Sequence, residues 1–226
     1  VRTDYRMSRR PWVNYALIAA NVVLYLAGYN GQHARADPWM LHPDTPTLFQ
    51  FFSSTFLHAG FAHLLGNMVF LWVFGNALND RLGHAGYLAF YLAAGVLANV
   101  GYVGLAGISI IPLLGASGAI SGVTGAYLVL FPRVKVTLLV WLFYFITFFE
   151  LSSLYFLLIQ FGWNMLMTLG EWAGPSAGGG GVAYAAHSAG YVYGIAVAVG
   201  LLAVRALPRE PFDLLNLIKA GRRRSR

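Results

Sequence analysis

The sequence lacks cysteine and has few charged residues. The absence of cysteine from a chain of 226 residues excludes disulfide frameworks, thiolate metal sites and cysteine nucleophiles. Charged residues make up 10% of the chain, whereas they account for about a quarter of an average soluble domain. Hydrophobic residues reach 58%, and the mean hydropathy is +0.62. This composition indicates an integral membrane protein.

The formal net charge of +7 has two explanations. A basic excess is typical of proteins that bind nucleic acid, but a soluble protein of that kind would not carry long uncharged stretches beside its basic residues. Lysine and arginine also collect on the cytoplasmic side of membrane proteins. We therefore expect no nucleic-acid partner, and we assign the basic residues to membrane orientation.

Long stretches without Asp, Glu, Lys or Arg predict the membrane crossings. A helix needs about 20 mostly apolar residues to span a bilayer. The stretch 85–132 is interrupted by Gly107, Pro112 and Gly115, so it predicts two spans joined by a turn. The predicted spans are 12–29, 61–79, 87–105, 114–131, 151–169 and 183–204. They predict an all-α fold, a polytopic bundle of six transmembrane helices.

The basic residues favour six crossings with both termini in the cytoplasm. In this topology fourteen of the fifteen Lys and Arg residues lie inside, and only Arg35 lies outside. The stretch 136–149 is short for a crossing, and a seventh span would move the RRRSR tail to the far side. We expect 136–149 to lie along the inner interface or to extend the fifth helix.

Three regions follow from this topology: a cytoplasmic arm (1–11), the membrane domain (12–205) and a basic cytoplasmic tail (206–226). In the tail, Phe212, Leu215 and Ile218 at three-residue spacing predict a short helix on the inner membrane surface, and a disordered tail is the alternative. The first span is long enough to be an uncleaved anchor. The absence of targeting features favours a bacterial inner membrane.

Polar residues within the spans are candidates for function, because a polar side chain is costly in hydrocarbon. We select His63 and Asn67 in the second span, Ser117 and Ser121 in the fourth, and His187 and Ser188 in the sixth. All three spans enter from the outer face. At 1.5 Å per residue, Asn67, Ser117 and His187 lie on the order of 5–10 Å below the outer edge. The sequence therefore predicts that a serine, a histidine and an amide share one depth.

Ser117 and His187 suit the roles of nucleophile and base, since a neutral histidine can take the proton of a serine hydroxyl. They can meet only if the fourth and sixth spans pack closely, which small residues at four-residue spacing permit. Such rows are Ser117, Ser121 and Gly125, then Gly118, Gly122 and Ala126, and on the sixth span Gly190 and Gly194. Each row alone is also typical of ordinary packing between membrane helices.

Acyl transfer also needs hydrogen-bond donors for the developing oxyanion. His63 and Asn67 share one helix face and are candidates, with the backbone N–H of Ser117 as a third. Asn67 could instead form an interhelical hydrogen bond. The i, i+5 spacing of His58 and His63, with no glutamate between them, does not match a zinc motif, so we expect no metal and no cofactor. We expect His58 to hydrogen-bond loop backbone outside the second helix.

Four segments, taken together and in this order, resemble the rhomboid family of intramembrane serine proteases. They are HAGFAHLLGN (58–67), FGNALNDRLG (74–83), GASGAISGVTGAYLVLFP (115–132) and AHSAGYVYG (186–194). The resemblance implies a six-helix bundle in the lipid bilayer that cleaves single-pass transmembrane proteins in or near their membrane segment. It implies Ser117 as nucleophile, His187 as base, His63 and Asn67 as oxyanion-stabilising residues, His58 as a structural histidine, and Gly115, Gly118, Gly190 and Gly194 near the site.

Two positions depart from the family pattern. Phe49 and Gln50 stand where rhomboids often carry a Trp-Arg pair in the first loop, which bears on the rigidity of that loop. Ser121 stands where a tyrosine commonly stacks on the base, which leaves open what holds the His187 ring. The first loop, about 30–60, is long and aromatic, and we expect it to lie partly in the outer leaflet. The glycine-rich loop 172–184 is predicted to be a mobile cap over the site.

Two other functions compete with proteolysis. One is a non-catalytic, membrane-binding member of the same fold, which captures helices without cutting them. The other is a small transporter, which predicts polar groups that continue toward the inner face, whereas the candidates above lie in the outer half. The sequence assigns neither a physiological substrate nor an oligomeric state.

Overall fold

The computed structural model describes residues 2–29, 37–105, 112–142, 145–173 and 184–224. It is a helical bundle with a small antiparallel sheet. The elements in chain order are β1 (Arg2–Thr3), α1 (Trp12–Leu26), α2 (Leu48–Ser53), a 3₁₀ turn (Ser54–Phe56), α3 (Phe61–Phe70), a π-helical turn (Leu71–Gly75), α4 (Asn76–Leu105), α5 (Ser117–Leu130), β2 (Lys135–Leu142), β3 (Phe145–Ser152), α6 (Ser153–Ala173), α7 (Tyr184–Ala203) and α8 (Leu214–Arg224).

The long helical run from α3 through α4 is broken at Gly83. This glycine has φ 71° and ψ 170°, a backbone conformation that ends one helix and begins the next. The run is therefore two helices, 61–82 and 84–105, which match the predicted second and third spans. Across the described residues, Phe61–Gly104 and Tyr184–Ala203 are long and apolar enough to cross a membrane, and Trp12–Leu26 and Ser117–Leu130 are shorter apolar helices.

Helix α5 is the centre of the bundle. Every residue from Gly118 to Leu130 is buried, and α4, α6 and α7 pack against the helix. The contact with α7 is closest where glycines face each other. A Cβ at Gly190 would clash with the carbonyl oxygen of Gly118, and one at Gly194 with that of Gly122. Backbones approach this closely only where side chains are absent, as the glycine spacing predicts.

Helix α6 carries an apolar face that points away from the bundle. Its exposed side chains include Tyr155, Leu158, Ile159, Trp163, Leu166 and Leu169. Apart from the adjacent pair Leu158 and Ile159, they recur at a spacing of three or four residues, so they share one side of the helix. A continuous apolar surface of this kind is typical of contact with lipid.

Residues 135–142 and 145–152 pair as a β-hairpin, so the fold is mostly rather than purely helical, and the predicted extension of the fifth helix into this segment is wrong. Strand β2 pairs antiparallel with β3, from Lys135 opposite Ser152 to Leu142 opposite Phe145, and β1 pairs with β2. β-Branched and aromatic residues dominate the segment, and these residue types favour strands. An apolar run without clear periodicity fits a buried strand as well as a helix, which is why the sequence misleads here.

The N-terminal arm docks on the side of the bundle that carries the hairpin. The Asp80 carboxylate accepts hydrogen bonds from Tyr5 Oη, from the hydroxyl and backbone N–H of Ser8, and from the Arg9 N–H, at 2.8–2.9 Å. The adjacent Arg81 pairs with Glu210 at 3.4 Å. The arm, the hairpin, the end of helix 61–82 and the segment after α7 therefore lie on one side.

Helix α8 begins at the buried side chain of Asp213. The carboxylate accepts hydrogen bonds from the Asn216 N–H at 2.8 Å and from Arg209 Nε at 3.1 Å, which caps the helix. Burial raises the pKa of Asp213, but the hydrogen bonds, first that from Arg209, outweigh it and hold the pKa below its ordinary value. The predicted C-terminal helix is confirmed over 214–224.

Polar side chains also occur in the half of the bundle near this side, so the expectation that they cluster in the outer half is wrong. Asn14 Nδ2 donates to the Leu71 carbonyl oxygen at 2.9 Å and to Asn76 Oδ1 at 2.7 Å. Its Oδ1 accepts from Tyr87 Oη at 2.6 Å. These buried groups satisfy one another, as buried polar groups usually do, and they form a closed cluster rather than a lined path.

Replacing Gly194 with alanine should destabilise the bundle, because the added Cβ would meet the Gly122 backbone. We expect a loss of about 1–3 kcal/mol in the free energy of unfolding, the usual cost of overpacking, measured by equilibrium unfolding in detergent. Gly200 is the matched control on the same helix, since a Cβ there meets nothing within 4 Å. Equal losses for Gly194→Ala and Gly200→Ala would contradict the close contact of α5 and α7.

Candidate active site

Ser117 is the first residue of α5 and follows a turn at Gly115. Gly115 has a φ of 128°, which glycine adopts without strain, and its N–H donates to the Ser54 carbonyl oxygen at 2.9 Å. The first N–H groups of a helix lack partners within the helix. The start of α5 therefore offers amide donors and the positive end of the helix dipole beside the Ser117 hydroxyl.

His187 lies in the first turn of α7 and contacts Ser117. The distance from His187 Nε2 to Ser117 Oγ is 2.8 Å, and both side chains are partly buried. The contact follows from the packing of α5 on α7, because Gly118 adjoins the serine and Gly190 lies one turn after the histidine. A hydroxyl that donates to a neutral imidazole at this distance can lose its proton to the ring as it attacks.

His63 and Asn67 lie four residues apart on α3. A Cβ at Gly115 would come within 2.9 Å of His63 Cε1 and 3.6 Å of Ser117 Oγ, so the His63 ring and the serine hydroxyl border the same glycine. Asn67 Nδ2 is buried and has no hydrogen-bond partner among the described residues. The interhelical bond considered from the sequence is therefore not made by this atom within that part of the chain. Asn67 Nδ2 can therefore donate a hydrogen bond to a group that is absent from the described residues.

His58 is fully buried and packs against His63, with ring centroids 5.2 Å apart. Neither ring nitrogen has hydrogen-bond geometry to a partner in the described segments, so the predicted hydrogen bond to loop backbone is not formed there. The Phe56 backbone favours the charged ring and raises its pKa, but two other effects outweigh it. Burial first, and the neighbouring His63 second, lower the pKa of His58 to about 4. The ring is neutral near pH 7 and supports His63 by packing. No three His, Cys, Asp or Glu side chains of the described residues gather as a metal site.

Gln50 anchors the loop that precedes α3, at a position that departs from the family pattern. Its Oε1 accepts from the backbone N–H groups of His42 and Thr47 at 3.4 Å and 3.2 Å, and its Nε2 donates to the Pro38 carbonyl oxygen at 3.4 Å. These hydrogen bonds join Gln50 to other residues of the same loop and so stabilise its conformation. Its exposed apolar side chains suit the predicted contact with the outer leaflet: Trp39, Leu48, Phe49 and Phe52.

Sequence reasoning missed Asn164 of α6, which contacts His187. Asn164 Oδ1 lies 2.9 Å from His187 Nδ1, and the asparagine is 6% exposed. The signal that could have found it is an amide inside an apolar span, the same signal that selects Asn67. Ser121, where the family commonly has a tyrosine, is buried beside Gly190. The predicted cap over 172–184 lies mostly outside the described residues.

The fold and the site define a helical membrane protein with a serine–histidine pair at the ends of two closely packed helices. A family model described as the Rhomboid domain matches residues 45–204, which is more than half of the chain and includes all the candidate site residues. The chain therefore belongs to the rhomboid family of integral membrane proteins.

Three relatives illustrate the similarity. The rhomboid-family protein YdcA of Bacillus subtilis is 38% identical over 120 residues, 52% of this chain and 55% of the relative. Rhomboid protein 1, mitochondrial, of Saccharomyces cerevisiae is 43% identical over 91 residues, 38% of this chain and 26% of the relative. Presenilin-associated rhomboid-like protein, mitochondrial, of Homo sapiens is 39% identical over 88 residues, which are 38% of this chain and 23% of the relative. The matched segments thus span between 23% and 55% of these relatives.

Gly115→Ala should destabilise the protein, because it adds both a strained φ and a Cβ against the His63 ring. We expect a loss of about 1–3 kcal/mol in the free energy of unfolding, measured in detergent. Gly28→Ala separates the two causes, since Gly28 has a φ of 94° with nothing within 4 Å of an added Cβ. It should cost less. A larger loss at Gly28 than at Gly115 would contradict the contact between Gly115 and His63.

Proposed function

We propose that this protein is an intramembrane serine endopeptidase that cleaves single-pass transmembrane proteins in or near their membrane segment. The observation that carries the proposal is the 2.8 Å contact between Ser117 Oγ and His187 Nε2. Serine alone is common in membrane helices, but a serine bonded to a histidine at a helix N-terminus has the parts of an acyl-transfer site. Membership of the rhomboid family supports the same activity.

In the proposed reaction, Ser117 Oγ attacks the scissile carbonyl carbon while His187 Nε2 accepts the hydroxyl proton. The oxyanion is stabilised by Asn67 Nδ2, by His63 and by the Ser117 N–H. His187 then gives the proton to the leaving amine, and a water molecule activated by His187 releases the acyl group. The substrate helix must unwind locally, because a hydrogen-bonded helix shields its peptide bonds. This route needs no cofactor.

The proposed topology has six crossings, cytoplasmic termini and a site that opens toward the outer face. Ser117 lies at the opposite end of α5 from the hairpin. The arm pairs with the hairpin, and the antiparallel return of β3 brings the chain back beside its starting point without a further crossing. Fourteen of the fifteen basic residues then lie on the cytoplasmic side.

With this topology we propose 1–11 as the arm, 12–205 as the protease domain and 206–226 as the cytoplasmic tail. A bacterial inner membrane is the proposed location, and a transmembrane protein is the proposed partner.

Ser117→Ala should abolish cleavage of a model transmembrane substrate in liposomes, because no other hydroxyl is bonded to His187 in the described structure.

Asn67→Ala should lower kcat by about 100- to 1000-fold with little change in KM, as expected for loss of one oxyanion donor. Products are followed by gel electrophoresis and mass spectrometry.

The matched control is Ser188→Ala. Ser188 adjoins His187 on α7, but its hydroxyl bonds to Thr168 at 2.9 Å rather than to the base. This variant should retain activity. Equal cleavage by Ser117→Ala and wild type would overturn the proposal. Binding of the substrate by the wild type without cleavage would instead favour a non-catalytic, membrane-binding rhomboid.

A further inference from the structure

A buried amide on α6 contacts the base on the ring edge away from the serine. Asn164 Oδ1 lies 2.9 Å from His187 Nδ1, and Ser117 Oγ lies 2.8 Å from His187 Nε2. Asn164 is 6% exposed on a helix whose other face is apolar. A side-chain amide buried in such surroundings is costly unless its donors and its acceptor are bonded. The contacts of the Asn164 amide therefore determine its orientation and its effect on His187.

The orientation of the Asn164 amide follows from its second hydrogen bond. Asn164 Nδ2 donates to the Gln160 carbonyl oxygen at 2.8 Å. A carbonyl oxygen only accepts, so the amide nitrogen must face Gln160 and the amide oxygen must face His187. Because Asn164 Oδ1 also only accepts, the proton between the two side chains belongs to His187 Nδ1.

This proton position fixes the tautomer of the base. A neutral imidazole carries one proton, so a ring protonated at Nδ1 has a bare Nε2. The bare Nε2 is the atom that faces Ser117 Oγ. The opposite tautomer would point an N–H at the serine and could not accept its proton.

We propose that Asn164 is a positioning residue that holds His187 in the tautomer and orientation required to activate Ser117. The proposal rests on the serine-protease function proposed above. During attack the Ser117 proton moves to His187 Nε2 while Nδ1–H stays bonded to Asn164, and the Nε2 proton then passes to the leaving amine. Asn164 itself exchanges no proton.

An amide suits this position better than a carboxylate. An isolated carboxylate buried in apolar surroundings costs far more than an amide that is bonded at both ends. The Asn164 oxygen can still attract the positive charge that develops on the ring. It also provides a contact that holds the ring, given that residue 121 is a serine rather than a tyrosine.

Thr168 provides a matched control. Thr168 lies one turn after Asn164, donates to the Asn164 carbonyl oxygen at 2.8 Å and bonds to Ser188 Oγ at 2.9 Å. Asn164 and Thr168 thus make similar polar contacts between α6 and α7, but only Asn164 touches the base. A purely structural role predicts similar effects for Asn164→Leu and Thr168→Val.

The test combines nitrogen NMR of the histidine-labelled protein in detergent micelles with kinetics in liposomes. The His187 signals are assigned by their loss in His187→Gln. We expect the wild-type ring to carry its proton on Nδ1, and Asn164→Leu to shift the ring toward the Nε2–H tautomer. Asn164→Leu should also lower kcat at least about 10-fold with KM unchanged, as misorientation of a base does. Thr168→Val should keep the wild-type tautomer and kcat.

A wild-type proton on Nε2 would overturn the role of Asn164, and this reading needs neither a variant nor a substrate. An unchanged tautomer in Asn164→Leu, or equal kcat values for the two variants, would overturn it as well. A wild-type protein with the expected tautomer that cleaves no substrate would overturn the protease function and, with it, any catalytic part for Asn164. The two failures are therefore distinguishable.

Discussion

The close contact between α5 and α7 is the constraint on which the site depends. Glycines on both helices let the backbones meet, with Gly190 against Gly118 and Gly194 against Gly122. In a membrane the contact gains little from the hydrophobic effect, so close packing of this kind is a main source of helix association. The same contact sets the 2.8 Å distance between Ser117 and His187. Packing and chemistry therefore depend on the same four glycines.

Buried polar groups in the described chain differ in how fully their hydrogen bonds are satisfied. The Asn14 cluster and Asp80 find their partners inside the protein, where they join α1 and the N-terminal arm to the helix 61–82. Asn67 Nδ2 is buried without a partner in the described chain. Both ring nitrogens of His58 are also unpaired there, so an unpaired atom does not by itself mark a reactive group. Asn67 is distinguished by sharing a face of α3 with His63, whose ring borders the same glycine as Ser117.

Much of the bundle and the contact of Ser117 with His187 could be predicted from the sequence, because uncharged stretches locate the helices. The shared depth of the two residues and the glycine spacing then bring them together. The hairpin could not be predicted, since its apolar run suits either a strand or a helix. Pairing with β1, which lies far away in the sequence, favours the strand. Asn164 was missed although it is an amide within a predicted span, because the sequence does not show which face of α6 turns toward His187.

Activation of Ser117 by His187 is tested most directly by mass spectrometry of the purified protein after exposure to a serine-directed fluorophosphonate. The reagent needs a nucleophilic serine but no substrate. We predict a single adduct that maps to Ser117 and that is lost in His187→Ala, although the serine is still present. An unmodified Ser117 in the wild type, or equal modification of His187→Ala, would contradict the account.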